Sequence, residues 1–443
     1  MCTRSTIWPL GVRRGLLTLA SGLALLPLLA SAQETAQHTC PNPTALTAGL
    51  GGPLAHVRFL ADDALEGRLA GSPGERCAGD YIADELRRLG LQPAGDSGTF
   101  FQAVPLASVV NPHAPSGTGR NVVAMLEGSD SELRAEAIVV GAHYDHLGWG
   151  GQGSLAPDQR AVHNGADDNA SGVAVLLEVA RSLASGPRPA RSIVFIAFTG
   201  EESGLLGSAH HVGSPAVPIA RTRAMLNMDM VGRLGDRPLI VNGRGTAQEW
   251  PRLIGEAARA ESIAVVTGED GYGPSDQTSF YARDVPVLHF FTNTHSDYHR
   301  PTDDWQSIDA AGLGRVASLV SRLAREAADQ RTVLTLVRGA GRPPAAQGGS
   351  GGGYGAYLGS IPDFSPVEHG VRITGVRAGS PGEKAGMTAG DTIIRFDDME
   401  IADIYAFTNA LRSHKPGDAV VVTVLRDGRE LKLPVVLGSR GGS

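Results

Sequence analysis

Cysteine is scarce in this chain, with three in 443 residues. Cys2 falls in an N-terminal leader, which leaves Cys40 and Cys77 as an even pair suited to one disulfide in an oxidising compartment. Charge of one sign is also lacking. The formal net charge is −7, and there is neither a basic patch nor a strongly charged tail, which argues against nucleic acid or an anionic membrane as a partner. Heptads and internal repeats are absent, so coiled coils and solenoids are excluded. Beyond the leader no stretch is long and apolar enough to cross a bilayer, which takes roughly 20 residues.

What is present is a globular composition, 42% hydrophobic and 19% charged, long enough for two domains. At the N-terminus, Arg13 and Arg14 precede an apolar run from Leu16 to Leu29 and then Ala30-Ser31-Ala32. This is the order of a cleaved secretory signal peptide, so residues 1–32 are set aside from the fold. An uncleaved anchor is the alternative, but the apolar core is short for a span. The mature protein is expected to be secreted or periplasmic and free of the membrane.

In the middle of the chain, apolar runs at Ala137–Val140, Ile193–Phe198, Ala224–Leu226, Leu239–Val241 and Val285–Phe291 predict buried strands. Helical periodicity appears in Tyr81, Ile82, Leu86 and Leu89, in Val173 to Ala184, in Ala247–Ala260 and in Ala310–Ala328. Strands alternating with helices predict an α/β fold with a mixed, mainly parallel sheet flanked by helices. Residues 336–354, rich in Gly, Pro and Ala, are expected to be a linker. After it come strand patterns at Val371–Val376, Thr392–Phe396, Ala419–Leu425 and Leu431–Leu437 with one helix near Ala402–Ser413, predicting a small β-rich domain over 355–438.

Acidic and histidine residues gather in five short segments, most of which follow or close a predicted strand. They are Gly141-Ala142-His143-Tyr144-Asp145, Gly165-Ala166-Asp167-Asp168-Asn169, Gly200-Glu201-Glu202-Ser203-Gly204, Asn227-Met228-Asp229-Met230 and Asp297-Tyr298-His299-Arg300-Pro301. In open α/β sheets the functional crevice lies outside the carboxyl ends of the strands, so residues distant in sequence converge there. A lone histidine beside a strand is usually a hydrogen-bonded core or surface residue. Charges are seldom buried without partners, however, and a shared divalent cluster satisfies this whole set at once. Nitrogen and oxygen donors without thiolate suit zinc, and cobalt or manganese would also fit.

Through these segments, from about Ala55 to Ala328, the chain resembles the M28 family of co-catalytic zinc aminopeptidases. The resemblance implies a metallopeptidase domain over 33–335 that holds two divalent ions, zinc in the family. It also implies substrates that are peptides or proteins with a free N-terminus. Asp167 would bridge the metals, His143 and Asp229 would complete one site, and Glu202 with His299 the other. Glu201 would be the general base and acid, and a strained peptide near Asp168 would aim Asp167. Asp145, two residues after His143, is expected to accept the imidazole's other N–H. Tyr298 is expected either to donate to an oxyanion or simply to pack. Ser275-Asp276-Gln277 departs from the family's usual Ser-Asp-His.

The C-terminal segment resembles a PDZ domain through Tyr357-Leu358-Gly359, Ala385-Gly386-Met387 and Ala389-Gly390-Asp391-Thr392-Ile393-Ile394. Such a domain takes a peptide C-terminus by strand addition. Three other activities stay open at this point: a glutaminyl cyclase-like acyltransferase with one zinc, a carboxypeptidase, and a non-catalytic peptide-binding protein.

Overall fold

A computed structural model describes residues 39–106, 117–150, 153–156, 158–338, 356–362, 367, 369–376, 379–401 and 404–438. The expected signal peptide and most of the expected linker lie outside the described residues.

The larger sheet has nine strands: β1 (Gln92–Pro93), β2 (Phe101–Pro105), β3 (Thr118–Leu126), β4 (Ala137–His143), β5 (Ser192–Phe198), β6 (Thr222–Met228), β7 (Leu239–Asn242), β8 (Val265–Thr267) and β9 (Val287–Phe291). Their spatial order is β1-β3-β5-β4-β6-β9-β7-β8, with β2 also paired to β3. The centre, β5-β4-β6-β9, is parallel, while β3 joins β5 and β7 joins β9 antiparallel. Every residue of β4 and β5 is buried. Strands covered on both faces must be apolar throughout, which is why they read as unbroken hydrophobic runs rather than alternating ones.

Two apolar layers provide the cover. On one face the helices Pro73–Arg88, Gly172–Ser185 and Ala310–Asp329 bury Ile82, Leu86, Val173, Leu176, Leu177, Leu319 and Leu323 against Val140, Phe195 and Leu226. On the other, Val139, Val194, Phe198 and Met225 pack with Val212 and Phe280. The helix predicted from Ala247 begins instead at Trp250, with Pro251 in its first turn and Ala247 bridged to Leu336. Proline suits that position because its missing N–H would have no helical partner there. The predicted strand from Val285 begins at Val287, since Pro286 cannot donate to a ladder.

Strand β3 was not anticipated, and Asn121 in its middle explains why. It is fully buried, but its amide donates to Gln102 Oε1 at 3.0 Å and to the Gly207 carbonyl at 2.9 Å and accepts from the Thr199 N–H at 3.1 Å. A polar residue at a core position is tolerated when its bonds are complete.

The second sheet is antiparallel, ordered β10 (Ser360–Pro362), β11 (Val371–Val376), β12 (Thr392–Phe396), β14 (Ala419–Arg426) and β15 (Arg429–Val436), with β13 (Met399–Glu400) on β12. Leu358, Ile373, Ile393, Phe396, Phe407, Val422 and Val424 fill a core of its own. Among the described residues no helix is long and apolar enough to cross a membrane.

Cys40 and Cys77 form a disulfide that ties the segment entering the domain to the helix Pro73–Arg88. The bridge closes a loop with a sequence separation of 37. Chain-entropy arguments give such a bridge about 2–4 kcal/mol. The double variant Cys40→Ser/Cys77→Ser should therefore unfold at lower temperature and lower denaturant concentration than the oxidised parent. Equal midpoints in both scans would show that the bridge constrains nothing.

Candidate metal centre

Four of the five motif segments leave the carboxyl end of a central strand or follow it closely. His143 is the last residue of β4, Glu201 and Glu202 follow β5, Asp229 follows β6, and His299 lies in the loop after β9. The fifth, residues 166–171, is a wide turn that feeds the helix Gly172–Ser185. It starts from Gly165 at φ +54°, where an added Cβ would lie 2.1 Å from the Asp168 carbonyl oxygen and 2.5 Å from the His146 ring. Glycine is required there on both counts.

Buried polar side chains fix these segments. The Arg68 guanidinium is completely buried and donates to the carbonyls of Leu60, Tyr144 (2.8 Å), Asn164 (2.6 Å) and Gly165 (3.1 Å). It thereby joins the segment after His143 to the start of the turn. Glu75 accepts from Tyr144 at 2.9 Å and Thr199 at 2.5 Å, linking the exits of β4 and β5. Asn169 donates to the Met228 carbonyl at 3.0 Å and accepts from the N–H of Met230 at 3.2 Å, fixing the turn to the end of β6.

The carboxylate that stands between the histidines is Asp168, not Asp167. Asp168 Oδ1 is 3.3 Å from His143 Nε2 and its Oδ2 is 3.1 Å from His299 Nε2. Asp167 turns the other way: its Oδ1 accepts from the Gly232 N–H at 2.6 Å and its Oδ2 meets His295 Nε2 at 3.1 Å. Side chains of consecutive residues diverge where the backbone is not helical, and Asp168 has φ −109° and ψ 90°. Of these two adjacent acids, Asp168 alone faces the cleft. The peptide between Asp168 and Asn169 is cis.

Around Asp168 the donors fall into two groups whose ligand atoms lie within 4.8 Å of one another: His143, Asp168 and Asp229, and His146, Asp168 and Glu202. Asp229 Oδ1 is 3.4 Å from His143 Nε2, and Glu202 Oε2 is 3.3 Å from His299 Nε2, so His299 belongs with the second group. His299 Nδ1 donates to the Gly153 carbonyl at 2.9 Å, which leaves its Nε2 lone pair for the cleft. His143, Glu202, Asp229 and His299 are thus brought together as the sequence implied, with Asp168 in the place expected of Asp167.

Two further expectations change in detail. His143 Nδ1 lies 3.2 Å from the Asp145 backbone carbonyl, while the Asp145 carboxylate lies at 3.7 Å and accepts the Glu201 N–H at 3.1 Å. That N–H follows Gly200 at φ +67°, in a bend where the strand ladder no longer serves it. Tyr298 stacks on the His299 ring at 3.9 Å and packs with Met230, Ile240 and Phe291, so its ring has a packing role. His146 was not anticipated: it is fully buried and its Nδ1 lies 2.8 Å from Glu202 Oε1. Its partner is distant in sequence, and no local spacing marks the pair. Gln277, the departure from the family pattern, accepts from Asn227 Nδ2 at 3.0 Å and so supports β6 just before Asp229.

The electrostatics are those of a site built for cations. Burial opposes the His143 imidazolium, yet Asp229 and Glu201 hold it well above the usual histidine range. Partial burial pushes Glu202 up, yet His299 keeps it down at about 2. Burial raises Glu201 well above the ordinary carboxyl range, with Glu202 and Asp229 adding to the effect. Burial raises Asp276 to about 7. Hard oxygen and imidazole donors in two sets that share one carboxylate fit a pair of divalent ions.

Metal-ligating side chains at the strand ends of an α/β sheet, beside a separate small antiparallel sheet, make an arrangement like that of the zinc exopeptidases. Residues 121–324 match the model of peptidase family M28 and residues 358–437 that of a PDZ domain. The chain is 30% identical to aminopeptidase YwaD of Bacillus subtilis over 223 residues, 47% of this chain and 45% of that one. It is 35% identical to a probable zinc metalloprotease of Leptosphaeria maculans over 239 residues, 52% of this chain and 51% of that one. The chain thus spans about half the length of these curated relatives. The same fold occurs in an aminopeptidase from Aneurinibacillus sp. strain AM-1 (TM-score 0.50, 20% identity, 67% of this chain and 98% of that one). It also occurs in Porphyromonas gingivalis glutaminyl cyclase (TM-score 0.51, 21% identity, 62% and 97%).

The two adjacent acids make a direct test. Asp168→Ala should lose both metals by elemental analysis, whereas Asp167→Ala should retain most of its metal, since Asp167 faces Gly232 and His295. The opposite ranking would restore Asp167 as the bridge.

Proposed function

We propose that this protein is an exported aminopeptidase that hydrolyses the N-terminal bond of peptides with a dinuclear zinc centre. The observation that carries the reading is the single carboxylate of Asp168 shared by two otherwise separate donor sets. His143 and Asp229 would hold one ion, and Glu202 and His299 the other, with His146 fixing Glu202. When bound, the ions supply Lewis-acid stabilisation of charge developing on the scissile carbonyl and lower the pKa of the attacking water.

The chain's own residues do the rest. Glu201 Oε2 is 4.0 Å from His143 Nε2, at the rim of the first donor set. Its raised pKa suits a group that takes the water proton and passes it to the leaving amine. Asp145 holds the Glu201 backbone through its N–H, and so aims base and ligand together. Negative charge in the cleft favours a substrate's α-ammonium, which supports an aminopeptidase over a carboxypeptidase, as do the names of the relatives. A cyclase with a single zinc would leave His143 and Asp229 without a role, although both stand together beside Asp168. The PDZ domain is read as a dock for peptide C-termini, and residues 1–32 as the export signal.

Glu201→Gln should lower kcat about 10²–10⁴-fold with two metals still bound, checked on aminoacyl chromogenic substrates beside elemental analysis. A chelator should abolish the parent's activity, and N-blocked peptides should resist cleavage. Blocked peptides cut as fast as free ones would overturn the aminopeptidase assignment.

A further inference from the structure

Behind Asp168 lies a second set of charged side chains that the proposed chemistry does not use. Asp303 is fully buried. Its Oδ2 accepts the backbone N–H of Asp167 at 2.9 Å and of Asp168 at 3.1 Å, and its Oδ1 accepts from Arg233 Nη2 at 3.1 Å. Its backbone carbonyl takes the Ala166 N–H at 3.1 Å. Arg233 Nη2 also lies 3.4 Å from Asp297 Oδ2. Beside this, Asp167 meets His295 Nε2 at 3.1 Å, and the Asp297 N–H donates to His295 Nδ1 at 3.2 Å.

These residues come from three segments: the turn that presents Asp168, the stretch after β6, and the loop of residues 295–303. His299 sits within that loop, at φ +54°, and Asn293 just before it is at φ +75°. Such conformations are strained outside glycine, so they persist only where surrounding contacts over-determine them. A buried carboxylate is itself expensive unless its lone pairs are met. Here Arg233 and two N–H groups meet those of Asp303. The groups spent on it are the ones that fix where Asp168 and the His299 loop stand.

We infer that Asp303 and Arg233, supported by the Asp167–His295 pair, form a clamp behind the cleft that positions the Asp168 carboxylate against His299 and so sets how tightly the second metal is held. The inference deepens the proposed function and rests on it. Asp303 and Arg233 are positioning residues that touch neither substrate nor metal. A network that merely stabilised the fold would lower the unfolding midpoint without distinguishing the two metals. The clamp instead bears on two ligands of the second site and one of the first.

The test uses the full chain, stripped of metal and titrated with Co²⁺ by calorimetry and by the visible bands of the bound ion. Asp303→Asn should weaken the second ion about 10–100-fold, the usual cost of removing a group that orients a ligand, and weaken the first by less. Arg233→Met should do the same, and Arg233→Lys should recover part of the loss; these two keep the question open if Asp303→Asn does not fold. Folded variants that bind both ions as the parent does would overturn the clamp. So would equal losses at both sites that follow the fall in thermal midpoint. His299→Ala is the control: should it bind two ions as tightly as the parent, the dinuclear reading itself fails, whatever the clamp variants show.

Discussion

The structure depends on crowding several carboxylates into one buried crevice. Asp145, Asp168, Asp229, Asp276, Glu201 and Glu202 all lie near His143 or His299, and Asp145, Asp168 and Asp276 are out of contact with solvent. Two like charges about 4 Å apart repel by about 4 kcal/mol at an effective dielectric of 20, so the set is untenable without positive charge. Arg68 is close, but it gives its hydrogen bonds to backbone carbonyls and serves as a structural tie. The imidazoles answer part of the field, which is why His143 and His299 are pushed well above their ordinary range. Divalent ions answer it more fully and leave both imidazoles neutral as ligands.

That demand explains the architecture around it. The central parallel strands end on one rim, and a sheet apolar on both faces gives the rigid, dry base that such a cluster needs. Ligands on strand ends are placed by the sheet. Ligands on the turn at 166–171 and on the loop at 295–303 must be placed by something else. The something else is polar: Asn169 to β6, Asp167 to Gly232, and Asp303 to the turn. Glycine appears where backbones come closest; a Cβ on Gly232 would lie 2.7 Å from Asp167 Oδ1.

The legibility of the sequence follows the same division. Strands buried on both faces announce themselves as apolar runs, and His143, Glu202 and Asp229 stand beside such runs, so their convergence can be read without coordinates. His299 is further from its strand and was implied by family resemblance. The choice between Asp167 and Asp168 was not legible, because two identical neighbours differ only in the dihedral angles of a turn. Those angles are set by Gly165, Gly232 and Asp303, which come from three distant places in the chain. His146 and the clamp were hidden for a like reason, since each has meaning only through a partner far away in sequence. Strand β3 was masked by Asn121, whose polarity contradicts burial until Gln102, Thr199 and Gly207 are seen around it.

The bend after β5 shows why ligand and base are consecutive residues. Gly200 turns the chain out of the sheet, and Asp145 catches the next N–H, so one backbone bend presents Glu201 and Glu202 to different parts of the cleft. Glu202 is held by His146 and His299 and stays ionised, as a ligand must. Glu201 has no such partner at hydrogen-bond distance among the described side chains, and burial drives its carboxyl toward the protonated form. Two glutamates one residue apart are thus given opposite proton affinities by their surroundings. One is suited to holding a cation, and the other to taking up a proton and giving it back.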